Sequence, residues 1–432
     1  MTAPPPGKEP RWLTRGWPHV WLPYAQMKTT PLPLPVVATE GTRIRLADGR
    51  ELIDGIASWW TACHGYNHPH IIGAMERQLR TMPHVMFGGL NHQPALDLAR
   101  RLTALLPPGL NHVFFCDSGS VSVEVALKMA LQYWINRGVT GRSRFVAFRH
   151  GYHGDTLGAM SVCDLEGGMH QPFTGHVPEQ FIVELPSTKE ARTGFDSFLR
   201  RHRDEIAGLV IEPLVQGAGG MKFHGADTLA AVRRIAAEND VLFIADEVMT
   251  GFGRTGRMFA CEDADVSPDI ICLSKALTGG AMGLAATVAS DRVYDAFLDD
   301  DPAKALMHGP TYMANPLGCA AANASLDLFE REPRLDAVAA MEAHMSEALE
   351  PCRSLPGVRD VRAKGAIGVV QLDAMRHLDW LRRRFIEEGV WLRPFGDIVY
   401  MTPPFVVDGD ELARLTGAVV RVLGEWARRG AG

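Results

Sequence analysis

The sequence predicts an α/β fold with a mainly parallel central sheet covered by helices on both faces, plus a smaller α+β unit built from the two chain ends. Three observations predict it. Short apolar runs alternate with stretches of helical periodicity through the middle of the chain. The runs are continuous rather than polar-apolar alternating, as strands buried on both faces must be. The chain ends read differently, with turn-rich strands at one end and mixed strands and helices at the other. Residues 1–56 and 333–432 are therefore assigned to the small unit, and 57–332 to the large one.

Taken in order, residues 1–11 are proline-rich and polar and are expected to be disordered. From Trp12 to about Ala57 the chain reads as loops and short strands, with TRIRLADGRELIDGI forming a hairpin that turns at Asp48-Gly49. Pro69 to Thr81 has helical spacing. HVFFC (112–116) is a strand, followed by DSGS and the helix VSVEVALKMALQYW. RFVAF (144–148), GLVIEP (208–213), VLFIADEV (241–248) and DIICLS (269–274) are further buried strands, and ADTLAAVRRIAAEN is one of the helices between them. A long helix starts near Pro316 and runs to about Phe329, and another follows Pro333. IGVVQLD, the helix WLRRRFIEEG, and strands around VWLRPF and IVYMTPP complete the small unit.

Composition narrows the function. A chain of 432 residues that is 46% hydrophobic can bury a large core. Its formal charge of -6 is spread without acidic or basic blocks, and no basic run is interleaved with aromatics, which excludes nucleic acid as a partner. The seven cysteines form no CxxC pair and read as buried free thiols in a reducing compartment. The opening MTAPPPGKEPRW lacks the basic start and apolar segment of a secretory signal. No stretch approaches the ~18 apolar residues of a membrane span. A cytoplasmic location without membrane contact is expected.

The strongest chemical signal is the pair Asp246 and Lys275, each at the C-terminal end of an apolar strand, where open α/β sheets place ligands. A buried lysine is costly when charged, so burial lowers its pKa from about 10.4 and favours a nucleophilic amine. Taken singly, Lys275 reads as a strand-end lysine reaching solvent and Asp246 as a turn cap. Together they supply the amine and the carboxylate that pyridoxal phosphate requires for its aldehyde and its ring nitrogen. The phosphate needs a cradle, and Asp117-Ser118-Gly119-Ser120 at a helix start offers free N–H groups and a favourable dipole. An ordinary N-cap fits those four residues equally well. Gly309-Pro310-Thr311 is a second candidate, for which a plain turn is the simpler reading. Tyr152, in HGYHGDT, is placed to lay its ring over the cofactor, or is a half-buried tyrosine. Histidines 64, 68, 70, 150 and 153 lack an accompanying ligand set and read as structural, so no metal is assigned. Gly251 to Gly256 matches GxGxxG, but no helix opens inside it, and the dinucleotide reading fails.

IADEVMTGFGRTG followed by PDIICLSKALTGG resembles the class III (subgroup II) aminotransferases of fold type I, and the resemblance runs from about Trp21 to Pro404. It implies the fold of the pyridoxal-phosphate transferases and the cofactor pyridoxal 5'-phosphate. Lys275 would bond the aldehyde and Asp246 the pyridine nitrogen, with Tyr152 stacked on the ring. Ser118, Gly119 and Thr311, with its neighbour Pro310, would bind phosphate, the threonine segment coming from the other subunit of a homodimer with shared active sites.

WLPYAQM, SWWTACHGYNHP, HGPTYMANPLGCAAANASL and VWLRPFGDIVYMTPP are most similar to the members that aminate 8-amino-7-oxononanoate to 7,8-diaminononanoate in biotin synthesis, with S-adenosylmethionine as donor. By that resemblance Tyr24, Trp59, Trp60 and Arg393 shape the substrate site and Gly309 lines it. An apolar chain ending in a carboxylate suits tryptophan walls and an arginine clamp. The residues leave open lysine as donor to the same ketone, or another ω-aminotransferase activity.

Overall fold

The computed structural model describes residues 9–166 and 168–429. Most of the 1–11 segment expected to be disordered lies outside them. Arg11 and Trp12, however, belong to a helix, Arg11–Gly16, seated by the buried Leu13, where a loop was expected.

Strands β1 (Val36–Glu40), β2 (Arg43–Leu46) and β3 (Glu51–Asp54) form an antiparallel meander. Its second turn falls at Asp48-Gly49, where Gly49 takes φ +89° without a Cβ penalty and the Asp48 carboxylate accepts the Arg50 N–H at 3.0 Å. Next come β4 (Leu110–Cys116), β5 (Arg144–Phe148), β6 (Phe181–Val183), β7 (Ile206–Ile211), the short pair β8 (Val215–Gln216) and β9 (Lys222–Phe223), then β10 (Leu242–Asp246), β11 (Ile270–Leu273) and β12 (Ala285–Ser290). β13 (Val358–Lys364), β14 (Ile367–Leu372), β15 (Val390–Trp391) and β16 (Ile398–Met401) end the series.

The central sheet has the order β4-β12-β11-β10-β7-β5-β6. Only β12 runs against its neighbours, and the remaining pairs are parallel. β4, β5, β7, β10 and β11 therefore all end at one edge. β12 has no large apolar run, so its sequence, AATVAS, is silent about it. Its small residues suit a strand pressed against the helix Gly119–Asn136, and Thr287 donates its hydroxyl to the Ser122 carbonyl at 2.8 Å.

Alternation along β10 assigns the two faces. Leu242 and Ile244 pack with Val123 and Ala126 of helix Gly119–Asn136, while Phe243 and Ala245 pack with Leu229 and Val232 of helix Ala226–Glu238. Each such side chain, fully buried, contributes about 1.5–3 kcal/mol.

β15 pairs in parallel with β3, Val390 opposite Ile53 and Trp391 opposite Asp54, which binds the two chain ends into one sheet. The strand expected over VWLRPF stops at Trp391, because its partner β3 ends at Asp54 and the next carbonyl, that of Gly55, accepts the Thr402 N–H at 2.7 Å instead. β13, β14 and β16 form a separate antiparallel sheet. The helix Gly409–Arg429, unassigned from sequence, buries Leu412, Leu415, Val419, Val422 and Trp426 at helical spacing. In the Gly251–Gly256 stretch Phe252, Gly253 and Gly256 all have positive φ, so the chain turns there and no helix opens.

Ala57 to Trp60 form a turn in which four successive non-glycine residues have positive φ, 45°, 46°, 58° and 73°. Left-handed backbone costs roughly 1–2 kcal/mol per residue, so something must hold it. Asp54 does so from the end of β3. Its carboxylate accepts the N–H of Ile56 at 2.9 Å and of Ser58 at 2.8 Å, and the Tyr66 hydroxyl at 2.6 Å. The turn sets out Trp59 and Trp60 as neighbours. Asp54→Ala should lower the unfolding free energy by about 3 kcal/mol, because it leaves the buried Ile56 N–H, the part-buried Ser58 N–H and the Tyr66 hydroxyl without their shared acceptor. Urea denaturation followed by tryptophan fluorescence checks this, and an unchanged midpoint would rule the clamp out.

Candidate active site

The chemistry gathers where the parallel strands end. Asp246 is the last residue of β10, and Lys275 lies two residues beyond β11. Tyr152 lies four beyond β5, Glu212 directly follows β7, and Ser118 caps the helix after β4. A cavity of about 680 Å³ opens at this edge, lined by Lys275, Tyr152, Tyr24, Trp59, Trp60 and Arg393 among others. Six of the side chains selected from the sequence thus share one space, although they span residues 24 to 393.

Lys275 sits at φ +45°, a strained conformation fixed by its neighbour, whose Ser274 hydroxyl donates to the Leu284 carbonyl at 2.9 Å. Its amine lies 5.0 Å from the Trp60 ring centroid. Burial pulls the Lys275 ammonium below its ordinary range, against the opposing charges of Asp246, Glu212 and Asp155. Burial thus shifts the amine toward its neutral, nucleophilic form.

Asp246 is buried behind the cavity wall. One of its oxygens lies 2.8 Å from His153 Nδ1, and the other accepts the Val248 N–H at 3.1 Å. Burial alone would push the His153 imidazole down, but the hydrogen bond and charge of Asp246 outweigh it and hold it up. His153 was read as a structural histidine. It is a satisfied one, and its partner is the site carboxylate.

Glu212 is an addition to the set expected from sequence. Its carboxylate accepts the N–H of Tyr152 at 3.0 Å and of Gly217 at 2.9 Å, which ties the Tyr152 loop to the end of β7. Burial pushes it up to about 7, with Asp246 adding and His153 opposing. The only signal in the sequence was an acid ending the apolar run GLVIEP. Asp155 is the second addition. It accepts the hydroxyls of Tyr24 at 2.5 Å and Tyr152 at 2.9 Å, and His170 Nε2 lies 2.9 Å away. His170 holds the Asp155 carboxyl below the usual range, whereas burial and Asp155 push Tyr24 up to about 12. Both phenols therefore stay protonated and are aimed by one carboxylate.

Ser118 and Gly119 lie beside this group, just outside the cavity lining. A Cβ on Gly119 would fall 2.6 Å from Val248, so only glycine lets the helix start approach the Asp246 turn. Ser120 Oγ accepts the Asp155 N–H at 3.0 Å and holds the helix start to the Tyr152 loop. Among the described residues no acceptor takes the N–H groups of Gly119 or Ser120, as suits an anion cradle. The donor set of an amine, a braced carboxylate, an aromatic ring and this cradle fits pyridoxal phosphate.

Gly309, Pro310 and Thr311 do not join the cavity of their own chain. Their loop is held by Lys128, whose amine lies 3.3 Å from His308 Nδ1, and by Tyr312, whose ring lies 4.5 Å from that of His84. Gly309 and Thr311 are exposed. The seven cysteines are free and buried. Among the described residues, no grouping of His, Cys, Asp and Glu suits a metal ion, and no helix is long and apolar enough to cross a membrane.

This fold and this arrangement of amine and carboxylate are those of a pyridoxal-phosphate transferase, and the chain belongs to the class-III aminotransferases, whose family description matches residues 24–423. More narrowly, it is similar to the adenosylmethionine-8-amino-7-oxononanoate aminotransferase of Mycobacterium leprae (strain TN), 46% identical over 415 residues that cover 94% of this chain and 95% of that one. Of solved structures, it is similar to the enzyme of that name from Methanocaldococcus jannaschii DSM 2661, with TM-score 0.90, 32% identity and coverage of 95% of this chain and 98% of the other. It is also similar to an amine transaminase from an uncultivated Pseudomonas species solved with PLP bound, with TM-score 0.87, 30% identity and coverage of 94% and 98%. The family's cofactor is pyridoxal phosphate.

One pH effect follows from Glu212. Folded, it keeps its proton up to about 7, whereas an unfolded glutamate releases it near about 4.3. The native state then binds more protons than the unfolded state, so this group's contribution to stability falls as pH rises from about 4.3 to 7. Urea unfolding at several pH values should show that decline relative to Glu212→Gln. A difference that stays flat with pH would contradict the burial argument.

Proposed function

We propose that this chain moves the α-amino group of S-adenosylmethionine to the ketone of 8-amino-7-oxononanoate, giving 7,8-diaminononanoate. The observation that carries the reading is the wall of the cavity. Lys275, the Trp59–Trp60 pair, Tyr24 and Arg393 all line it, so a reactive amine, an apolar channel and a guanidinium lie in one space. Relatives bearing that activity in their names match nearly the whole chain, which supports it further.

Bound pyridoxal phosphate supplies an aldehyde that accepts the amino group and a ring that takes up electrons from the substrate carbon. The chain's own residues do the rest. Lys275 would hold the cofactor through its aldehyde, and its amine is the base placed to move the proton at the substrate α-carbon. Asp246, braced by His153, keeps the ring nitrogen protonated. Ser118 and Gly119 would hold its phosphate at the helix start, and Tyr152, its loop fixed by Glu212 and Asp155, would cover its ring. Trp59 and Trp60 shape the apolar path, and Arg393 takes the terminal carboxylate. The two substrates occupy the same cavity in turn. Residues 57–332 serve as the cofactor-binding unit, with 1–56 and 333–432 closing over it.

A second copy of the chain completes the phosphate site with its own Gly309, Pro310 and Thr311. Two features support this: that segment is exposed and lies apart from its own cavity, and Met307, Tyr312, Met86 and Leu90 beside it are exposed apolar residues. The unpaired buried cysteines suit a reducing, cytoplasmic setting.

The half-reaction tests the donor. Holoenzyme mixed with S-adenosylmethionine alone should convert its cofactor to the aminated form, and lysine alone should not. Conversion by lysine only would replace the donor, and conversion by neither would contradict the reading. Lys275→Ala should lower turnover by about 10³-fold or more, since it removes the group that moves the proton. Near-normal turnover in that variant would exclude the role.

A further inference from the structure

The cavity wall contributed by the C-terminal part of the chain carries two guanidiniums. Arg393 follows β15, and Arg382 comes from the helix Leu378–Glu387. Arg393 lies with Cζ 4.9 Å from the centroid of the Trp59 ring, and among the described residues it forms no ion pair. Arg382 has little more support. The carboxylate nearest to it, Asp379, lies 3.9 Å away on the same helix and is 81% exposed. Its Nη2 reaches the Pro394 carbonyl only at 3.5 Å, and its buried Nε has no partner. Asp397, on the same wall, accepts the Gln371 amide at 2.7 Å and pairs with neither arginine. Burial and the nearby charge of Arg393 both pull Arg382 below the ordinary guanidinium range. The Arg382 side chain is 39% exposed, so water screens part of the repulsion between the two guanidiniums, and an anion held between them would offset the rest.

We infer that Arg382 is a second anchor for the substrate's tail carboxylate, and that the pair Arg382 and Arg393 together selects a ketone with a terminal acid. The inference rests on the functional reading above and deepens it. A carboxylate has about four lone-pair sites, so it can take a forked pair of N–H groups from one arginine and a further donor from the other. One tryptophan stands at each end of the cavity wall, Trp60 with its ring 5.0 Å from Lys275 Nζ and Trp59 with its ring 4.9 Å from Arg393 Cζ. The six bonds from the keto carbon to the carboxyl carbon, each about 1.5 Å long, extend roughly 7–8 Å as a zigzag chain.

The test compares 8-amino-7-oxononanoate with its methyl ester in steady-state assays of holoenzyme, Arg382→Gln and Arg382→Lys. Arg382→Gln should raise KM for the acid roughly tenfold to a hundredfold, with a much smaller effect on kcat, as the loss of one charge-assisted hydrogen bond requires. The ester, which has no charge to hold, should show nearly the same KM in both proteins. Arg382→Lys should recover part of the loss. An unchanged KM for the acid, or an equal loss for acid and ester, would overturn the second anchor. Failure of the unaltered chain to use the acid at all would instead overturn the functional reading, and this inference with it.

Discussion

The pairing of β10 with β11 is the constraint on which the site depends. The strands are adjacent and parallel, with Asp246 opposite Cys272. A parallel pair forces both chains to leave the sheet at the same edge, so a carboxylate and an amine far apart in sequence emerge side by side. Antiparallel pairing would send them to opposite edges. Burial then acts differently on the two groups. It presses Lys275 toward its neutral form, while Asp246 is stabilised by a histidine and a backbone N–H. A buried carboxylate without such partners would cost several kcal/mol.

The recognition half of the cavity depends on a different constraint. β3 and β15 pair across most of the chain length, which brings the Asp54-held turn and Arg393 to the same wall. Trp59, set out by four left-handed residues, lies against Arg393. Tyr24, from the N-terminal segment, reaches Tyr152 and Asp155 on the central sheet's edge. The proposed catalytic groups thus stand at rigid strand ends, and the proposed substrate contacts come from both termini.

Residues proposed to do the chemistry were the most legible. Lys275 and Asp246 stand at the ends of apolar runs, where a charge needs a reason, and Trp59, Trp60 and Arg393 lie in long family-like segments. Strands of large apolar residues were legible for the same reason. β12 was not, because its alanines and threonine carry no hydrophobic signal and their burial comes from the helix above them. The helix Gly409–Arg429 did have a clear apolar spacing, at Leu412, Leu415, Val419, Val422 and Trp426, and went unassigned after the proline-rich end of β16. Glu212 showed only as an acid ending the apolar run GLVIEP, and nothing local distinguishes Asp155 or His153. Each matters through a partner more than 25 residues away: Tyr152, Tyr24 and Asp246 respectively. Arg382 reads as one of three arginines on a helix until the cavity is seen.

The central claim is that the Lys275 amine is the group that bonds the cofactor aldehyde. Borohydride reduction of the holoenzyme, followed by proteolysis and mass spectrometry, tests it most directly. The pyridoxyl mass should appear on the peptide containing Lys275 and on no other lysine. A label on a different peptide, or none in protein that visibly carries cofactor, would contradict it.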